Sequence, residues 1–160
     1  MSDILGRLTA TSLGQWVLTS TYGYPVLLVF HSIGLALLVG IFALVDFRIL
    51  GFGVAVPLRA LQRLLPIAWG GFCISLTSGS LLFIADGAKF YNSFVFKVKF
   101  VSIVMGTILS FLIRLSVFSP ATGSSARFSV APMQARVLAI CSLLAWFGTI
   151  MAGRLMAYIN

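Results

Sequence analysis

Three basic side chains set the chemistry this chain offers. His31, Lys99 and Arg154 each interrupt a long apolar stretch. An ionisable group in hydrocarbon is costly enough that a functional site is the default reading. Imidazole is a regular ligand of haem iron and transition metals, while ammonium and guanidinium groups pair with anions. His31 lies seven residues past Tyr24, about 10 Å into the span at helical rise. Lys99 falls near the start of the third apolar stretch and Arg154 near the end of the fourth. Alternating topology brings all three toward one membrane face, with no carboxylate at comparable depth, so they need an anion. Lipid phosphates reached by snorkelling are one candidate. The propionates of a haem whose iron takes His31 are the other.

For His31 two readings stand side by side: metal ligation, or an imidazole hydrogen-bonded to a carbonyl, serine or tyrosine within the helices. Gly34, Leu35 and Leu38 share its helical face, and a glycine one turn from the ligand leaves room for a flat macrocycle. Ala36 and Gly40 lie opposite and are expected to pack against a neighbouring helix. The single histidine excludes bis-histidine ligation within one chain. A sixth ligand would come from Met105, Met151 or Met156, a tyrosine or a partner.

The elements that must position these groups follow from composition. Of 160 residues, 60% are hydrophobic and 9% charged, which is more apolar surface than a soluble domain of this size buries. The expected fold is all-α: a single integral-membrane domain over 1–160, built as a four-helix up-down bundle with an N-terminal interfacial amphipathic helix. Spans are expected at about 24–50, 65–85, 96–118 and 136–158, each long enough for a ~30 Å hydrocarbon layer. Residues 3–19, with Ile4, Leu8, Leu13, Trp16 and Val17 against Asp3, Arg7 and Gln15, are too polar to span and suit an interfacial helix. A short basic helix-like link (57–64), a polar loop (86–93) and a loop rich in Ser, Ala, Gly and Pro (119–132) join the spans. Small residues recur along each span: Ser32, Ala36 and Gly40; Gly71, Ser75 and Gly79; Ser102, Gly106 and Ser110; Ala145, Gly148 and Ala152. Such stripes let membrane helices approach closely. Cys73 and Cys141 read as buried free thiols without metal-ligand spacing.

The net charge of +8 is scattered between apolar runs, which fits contact with anionic lipid headgroups and argues against nucleic acid. Arg48, Arg59, Arg63, Arg114, Arg127 and Arg136 flank one side, against Arg7, Lys89, Lys97, Lys99 and Arg154 on the other. This excess places both termini outside, in the periplasm if the membrane is a bacterial inner membrane. Asp46 is expected to pair with Arg63 or Arg114 at the membrane edge. No acid lies deep in a span, and no hydrolase motif, phosphate-binding loop or zinc cluster occurs.

The run His31-Ser-Ile-Gly34-Leu-Ala-Leu-Leu-Val-Gly40, followed by Asp46-Phe-Arg48-Ile-Leu-Gly51, resembles the first-span signature of a bacterial family of four-helix inner-membrane proteins without an assigned activity. Gly153-Arg154-Leu-Met-Ala-Tyr158 and Phe96-x-x-Lys99 extend the likeness over nearly the whole chain. More distantly, the helix is similar to those of copper-resistance protein D membrane domains and of the membrane protoporphyrinogen oxidase that carries haem b. The latter resemblance implies a haem-ligating role for His31. The tryptophan those families often place before the glycine pair is absent.

Three functions follow as expectations. The first is a b-type haem protein for electron transfer, with His31 on the iron, Gly34 beside it, and Lys99 and Arg154 on the propionates. The second is an accessory subunit of a larger membrane complex or a homo-oligomer, not a stand-alone enzyme. The third is copper handling, for which Met and Cys would be soft ligands.

Overall fold

The computed structural model describes residues 6, 7, 9–118 and 132–159. Much of the 119–132 loop and part of the 3–19 segment therefore lie outside the described residues. Among the described residues all regular structure is helical: α1 (Ser12–Thr19), α2 (Gly23–Leu50), α3 (Leu58–Gln62), α4 (Leu65–Asn92), α5 (Phe94–Val117) and α6 (Met133–Ile159). Four helices are long and apolar enough to cross a membrane.

Short polar signals set the helix ends. The Thr11 side chain accepts from Gly14 N at 3.2 Å, capping α1, and Ser93 accepts from Phe96 N at 3.4 Å, capping α5. These caps satisfy backbone donors that a first turn leaves open. α2 stops at Gly51, whose φ of 102° is open to glycine at little cost. α4 continues past the expected end of span two, through the stretch read as a polar loop. The chain bends there instead, at Asp86 (φ −134°, ψ 38°), and resumes as helix to Asn92.

The four long helices form two close pairs. α2 lies on α4 and α5 lies on α6, while α2 also packs on α6; α4 and α5 make little contact. Residue pairings run in opposite senses within each pair. Gly34 meets Gly71 and Ser75, whereas Phe42 meets Trp69; Ser102 meets Gly148, and Ser110 meets Trp146. Small residues create both contacts. A Cβ on Gly34 would stand 2.7 Å from the Gly71 carbonyl oxygen and 2.8 Å from Ser75 N, and one on Gly71 would stand 2.8 Å from the Gly34 oxygen. A Cβ on Gly106 would strike the Trp146 ring at 2.9 Å. Close backbone approach of this kind lets dispersion contacts replace the hydrophobic effect inside lipid.

Trp146 is the centrepiece of the core. It is fully buried, stacks on Phe42 at 5.9 Å and donates its indole N–H to the Ser110 hydroxyl at 3.2 Å. Buried indoles find a partner in this way. Three of the four small-residue stripes face such contacts; the fourth does not. Ser32, Ala36 and Gly40 are exposed, and open space surrounds a Cβ built on Gly40. Cys73 and Cys141 are free but exposed on the outer helix faces, not buried.

Asp46 departs from its expected pairing. It is 1% exposed, and among the described residues no ion pair joins it to Arg63 or Arg114. The Ser142 side chain faces it across the α2–α6 contact without closing a hydrogen bond of good geometry, since Asp46 Oδ2 and Ser142 Oγ both lack partners. The helical phase that places Phe42 on the core places Asp46 there too, one turn later. A double-mutant cycle of Asp46→Asn with Arg114→Gln should therefore give a coupling below about 0.5 kcal/mol in unfolding measurements, the additivity expected of groups that do not touch.

Candidate functional site

The imidazole of His31 is half-buried where α2 crosses α4. Its Nδ1–H donates to the Ser75 carbonyl at 2.9 Å. The Ser75 and Ser78 hydroxyls lie at 3.3 and 3.4 Å from the same nitrogen. Both hydroxyls are directed to carbonyls: Ser75 Oγ toward the His31 oxygen at 3.4 Å and Ser78 Oγ toward the Ile74 oxygen at 2.6 Å. One tautomer is thus fixed, with the proton on Nδ1, and the lone pair of Nε2 has no hydrogen-bond partner among the described residues. A metal-ligating histidine characteristically donates its other N–H to a carbonyl in this way. The structural reading of His31 accounts for Nδ1 and leaves Nε2 available.

Gly79 makes the space that the ring occupies. A Cβ there would lie 2.9 Å from Cε1 and 3.2 Å from Nδ1. Gly79→Val should push the imidazole off the Ser75 carbonyl. The check is the pair of imidazole 15N shifts by NMR, which should change from a single Nδ1–H tautomer to a mixture; an unchanged spectrum would refute this role for Gly79. Ser75, Ser78 and Gly79 belong to the site, although the sequence reading assigned Ser75 and Gly79 to helix packing alone. The available signal was a Ser/Gly stripe at helical spacing on the span antiparallel to a histidine.

Lys99 is half-buried near the start of α5. Its Nζ lies 3.6 Å from where a Gly153 Cβ would stand, so that glycine gives the ammonium its path beside α6. Lys99 has no acidic partner among the described residues. Arg154 follows Gly153 and is exposed. Among the described residues no hydrogen bond or ion pair joins His31 to Lys99 or Arg154, and Arg154 lies exposed on the outer face. Phe83, one turn on from Gly79, stacks on Phe96 at 5.3 Å, and Phe90 stacks on Phe96 at 6.0 Å. These rings join α4 to α5 at this end.

Gly34 has a different part from the one its spacing suggested. It is buried against the α4 backbone and leaves no slot for a macrocycle. Met105 and Met151 are 48% and 42% exposed, on the outer surface rather than across from Nε2. Among the described residues no three His, Cys, Asp or Glu side chains gather as a metal-binding cluster. An imidazole in a fixed tautomer is a donor that could serve a haem iron, and Lys99 is a cation without an acidic partner among the described residues. Comparisons with protein-family models, with curated proteins and with solved structures find no match for this chain.

Proposed function

We propose that this chain is an integral-membrane haem b protein serving electron transfer, with His31 Nε2 as axial ligand and Lys99 and Arg154 as propionate partners. The observation that carries this reading is the committed Nδ1–H of His31, held on the Ser75 carbonyl at 2.9 Å while Nε2 stays unpaired. Haem would supply one-electron chemistry to the site. The chain supplies a ligand of fixed orientation through Ser75 and Gly79, and a cation that offsets propionate charge in a medium where an unpaired anion is costly. Gly34 contributes by setting the α2–α4 approach that delivers Ser75 to the ring.

In this reading the four long helices form an up-down bundle in a bacterial inner membrane, α1 rests at the interface, and both termini face the periplasm. The Lys99 end is then the outer leaflet. A small haem subunit of this kind would work within a larger membrane complex or a homo-oligomer that receives its electrons. Purification from haem-replete membranes tests the reading. A Soret band with close to one haem b per chain by the pyridine haemochrome assay is the expected result. A homogeneous, folded and colourless protein would overturn it.

A further inference from the structure

At the end of the molecule remote from His31, α4 and α5 part around a cleft of about 400 Å³ lined by Gln62, Leu65, Pro66, Trp69 and Arg114. Its walls combine an apolar floor with groups that donate hydrogen bonds. Arg114, in the last turn of α5, is exposed and has no acidic partner among the described residues. The indole N–H of Trp69 is buried and has no acceptor among the described residues. Gln62 is exposed at the end of α3 and brings a side-chain amide. No carboxylate lines the cleft.

A cleft lined by a cationic fork and an unsatisfied N–H together with Leu65 and Pro66 is complementary to a group that is anionic at one end and apolar at the other. We infer that this cleft holds the phosphodiester headgroup of an anionic phospholipid, its acyl chains running along the seam that α4 and α5 leave open. The Arg114 guanidinium takes the phosphate oxygens in the planar geometry it favours. The Trp69 N–H and the Gln62 side-chain amide donate the remaining hydrogen bonds to it. A diacyl lipid rather than free phosphate fits because the cleft opens between two helices long and apolar enough to lie in hydrocarbon, where basic pockets between spans collect lipid headgroups.

The test is native mass spectrometry of the full chain released from nanodiscs containing equal phosphatidylglycerol and phosphatidylcholine. The wild type should retain phosphatidylglycerol in preference, and Arg114→Gln should reduce that retention roughly fivefold, the scale of one basic residue at a membrane surface. Trp69→Phe, which keeps the ring packing, should reduce it less, and Lys89→Gln at the opposite end should leave it unchanged. Equal retention of the two lipids, or wild-type retention by Arg114→Gln, would overturn the inference. So would complete displacement of phosphatidylglycerol by millimolar inorganic phosphate, which would identify a site for the free anion. Haem content is independent of every one of these outcomes.

Discussion

Gly34→Leu should abolish the α2–α4 contact and destabilise the fold by about 3 kcal/mol or more, the upper end of overpacking costs. The reason is the nature of the neighbours. A Cβ at this position meets the Gly71 carbonyl and the Ser75 amide at 2.7 and 2.8 Å. Both are backbone atoms of a helix and have no rotamer by which to withdraw. Relief requires the helices to separate along their length, which sacrifices the neighbouring Leu38 and Phe42 contacts. Gly40→Leu is the matched control: the same residue type six positions on in the same helix, with nothing within 4 Å of its Cβ. It should melt within about 0.5 kcal/mol of the wild type, as surface substitutions do. Equal melting of the two variants in detergent would show that the crossing is not at Gly34.

His31→Ala should reduce haem retained on purification by at least about tenfold, given that even the hydrogen-bond partners of metal ligands matter by 10- to 100-fold. Stability should change far less. The ring is half-buried and contributes one hydrogen bond, a net term of about 1 kcal/mol. Loss of colour with an unchanged melting profile is therefore the diagnostic pattern. Loss of both together would assign His31 to the fold alone.

Much of the architecture was legible because apolar runs of this length have few alternatives to helices that cross a bilayer. Which face of α2 packs was not legible. Ile33, Leu35, Leu37 and Leu38 surround that helix with similar apolarity, so hydrophobic pattern distinguishes no side, and Gly34 and Gly40 are equivalent as letters. Only the partner helix decides between them, and it selects Gly34 because Gly71 and Ser75 lie opposite.

The same blindness governed Asp46. A carboxylate near the end of a span suggests an arginine partner at the membrane edge, yet its helical phase sends it into the core facing Ser142. Asp86 misled in another way, since a polar, glycine-bearing run reads as a loop but here accommodates a bend within a continuing helix. The role of Ser75 as acceptor for His31 uses its backbone carbonyl, which no side-chain pattern can announce.

Chemical rescue addresses axial ligation most directly. His31→Gly leaves a gap the size of an imidazole beside Gly79, and the purified variant supplied with haem b should bind it poorly. Adding free imidazole should restore the wild-type Soret band in proportion to its occupancy. If the variant holds haem with the wild-type spectrum before imidazole is added, or imidazole restores nothing, His31 does not ligate the iron.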